Sequence, residues 1–269
     1  MSEIMLEIKD VYKAFNPGTI NEKIALKGIN LTLEKGDFVT VIGGNGAGKS
    51  TMLNAVAGVW PIDSGSIQIA GTNVTGLPAF KRASLIGRVF QDPKTGTAAT
   101  MQIEENLALA LRRGKSRSPF RIGVTQKERE KYKEQLRILE LGLEDRLTDK
   151  VGLLSGGQRQ ALTLLMATLQ TPKILLLDEH TAALDPKTAE KVLAATEKVV
   201  SRDNLTTLMI THNMKDAIAH GNRLIMMNEG KVILDIRGEE KARLTVEDLL
   251  HKFSKVSGEE FASDKVLLS

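Results

Sequence analysis

The chain has 269 residues, 42% hydrophobic and 26% charged, the balance of a globular protein with a sizeable core rather than of a disordered or membrane-embedded one. Its 37 basic and 33 acidic residues leave a formal charge of +4, which permits contact with nucleic acid or anionic lipid without demanding it. Cysteine is absent, which excludes a disulfide framework and a thiolate metal site, and no apolar run reaches the roughly 18 residues of a spanning helix; residues 1–9 mix charges with no h-region after them, so a cytosolic chain without a signal peptide is expected.

In chain order, residues 5–11 and 25–33 read as short alternating strands, and residues 38–42 as a β-branched run ending at a glycine-rich loop. A helix is predicted over 50–59, then strands over 66–69 and 85–90, the last ending at Gln91. From about 103 to 169 the pattern turns helical, with segments at 104–111, 126–141 and 157–169. Between the first two lies a basic cluster of Arg112, Arg113, Lys115, Arg117 and Arg121, with Phe120 as its one aromatic, which reads as a solvated loop and not a stacking platform. Residues 174–177 form a wholly apolar strand, 186–201 a helix with Pro186 in its first turn, and 207–210 another strand. A closing hairpin is expected at 224–227 and 231–234 through Glu229-Gly230, then a helix near 245–253 and, after Val256, a polar tail with no readable signal. Strands alternating with helices imply a mostly parallel sheet covered on both faces.

The string Gly43-Gly44-Asn45-Gly46-Ala47-Gly48-Lys49-Ser50 fits G-x-x-x-x-G-K-[ST] between a strand and a helix. Glycines are needed because backbone N–H groups must converge on phosphate oxygens where a side chain would obstruct them. Lys49 is expected to reach the β- and γ-phosphates of ATP as a point charge, Ser50 to ligate Mg²⁺, and Thr51 to hydrogen-bond the α-phosphate. A second part of the site requires an acid at the end of a buried strand, and Asp178 and Glu179 supply it. Asp178 is expected to partner magnesium through water, and Glu179 to act as general base on the attacking water. Gln91 is a candidate to complete the magnesium shell and sense the γ-phosphate. His212, after the apolar strand at 207–210, reads by spacing either as a γ-phosphate partner or as a structural histidine.

Leu154-Ser155-Gly156-Gly157-Gln158 resembles the signature of the ATP-binding subunits of ATP-binding cassette (ABC) transporters. The order of phosphate loop, Gln91, signature, Asp178-Glu179, Ala183-Leu184-Asp185 and His212 is the family's, over residues 4–235. The resemblance implies an α/β P-loop NTPase with a RecA-like core, an antiparallel β subdomain and an inserted α-helical subdomain, as a single ABC ATPase domain over 1–269. Within it, 1–91 and 170–269 would form the nucleotide-binding core and 92–169 the helical signature subdomain. Ser155, Gly156, Gly157 and Gln158 would grip a γ-phosphate at a helix start, Phe15 would stack on adenine in preference to Tyr12, His212 would be the switch histidine, and Asp185 would lie at a dimer interface.

One copy of each motif per chain implies a head-to-tail homodimer with two ATPs sandwiched, docked by the segment after Gln91 on an integral membrane permease at the cytoplasmic face of the membrane. Two departures stand out: His180 where family members usually carry proline, and a signature helix without its common later basic residue. With residues 179–185 and 157–163 they resemble the ATPases of a bacterial uptake group, often described as aromatic amino-acid transporters, which work with a substrate-binding protein. The alternative is a soluble ATPase of the same superfamily, such as one serving iron–sulfur cluster assembly. No nucleic-acid partner is implied.

Overall fold

The computed structural model describes residues 3–114 and 123–257. Lys115, Arg117, Phe120 and Arg121 of the basic cluster, and the tail from residue 258, lie outside the described residues. The described residues divide into two compact units, one of those up to 82 and from 206 on, the other of those between 83 and 205.

The first unit begins with β1 (Ile4–Phe15), β2 (Lys23–Glu34), β3 (Phe38–Ile42), α1 (Lys49–Ala57), β4 (Ser64–Ile69), β5 (Thr72–Asn73) and α2 (Ala79–Arg82). The second carries β6 (Ile86–Val89), α3 (Ile103–Leu111), α4 (Gln126–Arg137), a 3₁₀ turn at Val151–Leu153, α5 (Gly156–Thr168), β7 (Ile174–Asp178) and α6 (Pro186–Asp203). The chain then returns to the first unit with β8 (Thr207–Ile210), α7 (Met214–Ala219), β9 (Arg223–Asn228), β10 (Lys231–Arg237), α8 (Gly238–Ala242) and α9 (Val246–Ser257).

In the first unit, β1 pairs antiparallel with β2 and with β4, and β5 extends β4, so one sheet is wholly antiparallel. The same unit holds β3 parallel to both β8 and β9, with β10 returning antiparallel on β9. Glu229 and Gly230 join those two strands with φ of 45° and 79°, the pair of positive values that a two-residue turn matching strand twist requires. All five residues of β3 and all four of β8 are buried, including Thr40 and Thr207, which accounts for the β-branched and apolar character of these runs. Helices α7 and α9 cover this sheet through Met214, Ala217, Leu249 and Phe253, packed with Ile42, Leu224, Met226 and Ile236. Helix α1 ends at Gly58, where the Arg82 guanidinium, 2% exposed, donates to the Ala55 and Val56 carbonyls at 2.8 Å each. The Ala55 carbonyl also accepts from Gly58 N–H at 3.1 Å, and the added cation at the last-turn carbonyls complements the helix dipole.

In the second unit β6 and β7 run parallel in register from Ile86↔Ile174 to Val89↔Leu177. Helix α5 lies close to β6: a Cβ on Gly87 would sit 2.7 Å from the Ala167 carbonyl. Helices α3 and α4 are joined by Arg129, whose Nε and Nη2 donate to the two oxygens of the buried Glu104 at 2.7 and 2.9 Å. Helix α4 stops at Arg137, short of the predicted 141, because Glu140 (φ 54°) and Gly142 (φ 67°) turn the chain left-handed there.

Candidate functional site

In the first unit the glycine-rich loop runs from β3 into α1. Gly43 has φ 148° and a Cβ there would lie 2.1 Å from the Met227 carbonyl; Gly48, at the start of α1, has φ 98° and a Cβ there would lie 2.6 Å from the Ala25 carbonyl. Both positions therefore accept only glycine. Gly230 at the β9–β10 turn donates its N–H to the Ala47 carbonyl at 3.0 Å, so the hairpin braces the loop. Lys49 is 7% exposed, and its ammonium donates to the Gly43 carbonyl at 2.7 Å and the Gly44 carbonyl at 3.2 Å. The loop is thus wrapped around a cation. Asn45, Gly46 and Ser50 are exposed, Thr51 is half-buried and Ala47 is buried.

His212 is exposed and follows β8. Parallel pairing of Val41 with Ile210, and a hydrogen bond from Thr211 N–H to the Val41 carbonyl at 3.1 Å, bring Gly43 and His212 out at the same edge of adjacent strands. Asn213 then caps α7, its side-chain oxygen accepting from Lys215 N–H and Asp216 N–H. At the end of β1 the half-buried Phe15 ring meets Trp60 edge-on, centroids 5.1 Å apart, and the Lys13 ammonium lies 5.6 Å from the Phe15 centroid. Lys13 is held by Asp63 at 2.9 Å, and the Asp63 carboxylate, which also accepts the Ala14 N–H, titrates below its ordinary range because of these bonds. Tyr12 is 42% exposed.

In the second unit, Asp178 closes β7 and Glu179 follows it, both half-buried, while Gln91 is exposed two residues past β6. The β6–β7 register places both strand ends at one edge. Glu179 has φ 45°, a left-handed conformation that costs a non-glycine residue on the order of 1–3 kcal/mol. Beside it His180, 1% exposed, sets its Nε2 3.1 Å from Thr196 Oγ1. Arg88 of β6 lies 3.6 Å from Asp178 Oδ2 with its guanidinium 4.6 Å from the Phe90 centroid. Burial lowers the guanidinium's pKa and the Asp178 carboxylate opposes that shift. Neither Arg88 nor the His180–Thr196 pair was recognised as part of the site from sequence; a lone arginine inside the apolar run Ile86-Gly87-Arg88-Val89 was the available signal for the first.

Ser155 is the N-cap of α5, accepting from Gln158 N–H at 3.3 Å while Gln158 Oε1 accepts from Ser155 N–H at 3.2 Å. Gln158 also donates to the Leu141 carbonyl at 3.3 Å, so its side chain serves the helix start itself. Ser155 and Gly156 are exposed, whereas Gly157 is buried where a Cβ would lie 2.0 Å from Thr188 Cγ2 of α6. Close approach of two helices therefore requires glycine at 157 independently of any ligand. Asp185 caps α6 by accepting from Thr188 N–H at 3.1 Å, and Thr188 pulls its exposed carboxyl below the usual range.

Among the described residues no group of three or more His, Asp or Glu side chains gathers for a metal, and no helix is long and apolar enough to cross a membrane. Magnesium bound with a nucleotide keeps several waters and is held by one or two carboxylates at most, with phosphates and other oxygen donors, so no cluster of acids is needed. In the first unit the Ser50 hydroxyl, and in the second the Asp178 carboxylate and the Gln91 amide oxygen, are hard donors of the kind that metal takes.

Residues 26–182 match the family model described as ABC transporter. The chain is 46% identical over 257 residues to a tyrosine transport ATP-binding protein of Clostridioides difficile (strain R20291), covering 93% of this chain and 98% of that protein. It is 32% identical over 237 residues to an energy-coupling factor transporter ATP-binding protein, EcfA2, of Clostridium perfringens (strain 13 / Type A), covering 86% of this chain and 79% of that one. Among solved structures it superposes with a TM-score of 0.73 and 31% identity, over 87% of this chain and 98% of the other, on an ATP-binding cassette solved as a dimer in a post-hydrolysis state with ADP and Pi.

Proposed function

Because the chain belongs to the ABC transporter family, as an α/β ATP-binding cassette that hydrolyses ATP to ADP and phosphate to drive transport, we propose that it powers uptake of an amino acid or similar small solute through closure of a homodimer. The observation that carries the nucleotide site is the loop closed around the Lys49 ammonium by the Gly43 and Gly44 carbonyls. The name of the 46% identical relative supports the substrate class. The dimeric state of a solved cassette supports the assembly.

In this reading the backbone of residues 43–48 and the Lys49 ammonium take the phosphates, Thr51 binds the α-phosphate, and Phe15 stacks on adenine. Ser50 and Gln91, with Asp178 through water, would hold Mg²⁺, which would neutralise phosphate charge. Glu179 withdraws a proton from the attacking water, and His212 donates to the γ-phosphate. Ser155 and the first-turn amides of Gly156 and Gly157 meet the γ-phosphate bound by a second copy of the chain, while the Gln158 side chain secures that helix start. Loss of that phosphate removes the bridge between copies and the dimer opens. Residues 92–169 form the helical signature subdomain, and the segment after Gln91 docks on an integral membrane permease at the cytoplasmic face, with a substrate-binding protein feeding the permease.

The test is isolation of the protein in mild detergent from cells that make it. An integral membrane protein in stoichiometric complex is expected; a monodisperse complex with soluble partners alone contradicts the transport reading.

A further inference from the structure

The β6–β7 pair holds a charged contact at the strand end that the roles above leave unused. Arg88 is in register with Leu176, and Asp178 lies two residues beyond Leu176, on the same face of the pair. Their side chains are 16% and 17% exposed, with Arg88 Nη2 3.6 Å from Asp178 Oδ2. The guanidinium also lies 4.6 Å from the centroid of Phe90, whose carbonyl accepts from Gln160 Nε2 of α5 at 2.8 Å. One side chain therefore touches the Asp178 carboxylate and the aromatic ring that immediately precedes Gln91.

We propose that Arg88 is the resident counter-ion of Asp178: it neutralises the carboxylate when no divalent cation is bound and weakens the cation's hold when one is. The inference rests on the reading of Asp178 as a magnesium partner. A half-buried carboxylate is costly without a compensating charge, and the guanidinium, always protonated, supplies it. A divalent cation that comes to Asp178 finds a carboxylate already partly neutralised and a positive charge beside it, and both effects favour release. Stacking on Phe90 holds the guanidinium where it acts, so the strand end leading to Gln91 and the carboxylate respond to the metal together.

The probe is Mn²⁺, titrated into ADP-loaded protein and followed by electron paramagnetic resonance of the free ion. Arg88→Met keeps the length of the side chain and removes the charge; it should bind Mn²⁺ at least roughly tenfold more tightly than wild type. Arg88→Lys loses the planar stacking on Phe90 but keeps a unit charge beside Asp178, so it should stay within about threefold of wild type. Unchanged or weaker binding in Arg88→Met overturns the proposal, and so does Arg88→Lys binding as tightly as Arg88→Met. If Arg88→Met does not fold, Arg88→Gln, whose amide can still meet Asp178, replaces it with the same expectation. Asp178→Asn tests the underlying reading separately: wild-type Mn²⁺ affinity there would remove Asp178 from the metal site whatever Arg88 does.

Discussion

His180 Nε2 lies 3.1 Å from Thr196 Oγ1, inside the protein and one residue after Glu179, the acid proposed as base. The Thr196 hydroxyl gives its proton to the Val192 carbonyl at 2.8 Å, so its oxygen accepts from His180, which places the ring proton on Nε2. This bond secures the residue that follows Glu179, whose backbone is left-handed at φ 45°.

Replacing Thr196 by Val should therefore leave a buried imidazole N–H without this acceptor and cost about 1–3 kcal/mol in urea unfolding, whereas Thr196→Ser should stay within about 1 kcal/mol. Indistinguishable stabilities for the two variants would show that the bond contributes nothing.

A second expectation comes from the contact of α5 with α6. Gly157→Ala would put a methyl group 2.0 Å from Thr188 Cγ2 and should destabilise the fold by roughly 1–3 kcal/mol. Thr188→Ser removes that methyl and keeps the backbone N–H bonded to Asp185, so it should restore most of the loss in the double variant. Additive losses in the two-site cycle would contradict this packing account.

The β9–β10 hairpin sets a pH dependence. Arg223, 2% exposed, grips Asp235 through Nε–Oδ1 and Nη2–Oδ2 bonds of 2.7 Å each. Burial alone would raise the Asp235 pKa, but the bonds from Arg223 and Arg237 outweigh it and hold the carboxyl below its ordinary 3.8. Its folded value lies below its unfolded one, so this contribution is fully present above pH 3.8 and is lost as pH falls through the folded value. Asp235→Asn should cost about 2 kcal/mol near neutral pH, less than for a fully buried pair because Asp235 is partly exposed, and should flatten the acid limb of the stability curve. An acid limb identical to wild type would assign the loss to other carboxylates.

Much of this was legible in the chain. Buried parallel strands such as β3 and β8 announce themselves as short β-branched and apolar runs, and Gly43 and Gly48 mark backbone that no other residue can adopt, so the loop and its flanking elements were placed to within a residue or two. Helices α2, α7 and α8 were not anticipated, since four to six residues show too little periodicity and tertiary contacts hold them, as Arg82 does at the end of α1. Arg88 was not singled out and His180 was noted only as a departure from the family's usual proline, because their contacts depend on neighbours on another strand or helix, at positions 178 and 196. The glycine at 157 was anticipated, but as an anion contact, and its close approach to Thr188 emerges only from the packing of α5 on α6.

In the proposed cycle two copies of the chain close on ATP and reopen once Glu179 has activated water. It is tested most directly by light scattering of Glu179→Gln with Mg²⁺ and ATP during size-exclusion chromatography. The expected result is a stable dimer retaining ATP, with monomer when ADP replaces ATP. A monomer that turns over ATP at the wild-type rate would contradict both the base and the dimer.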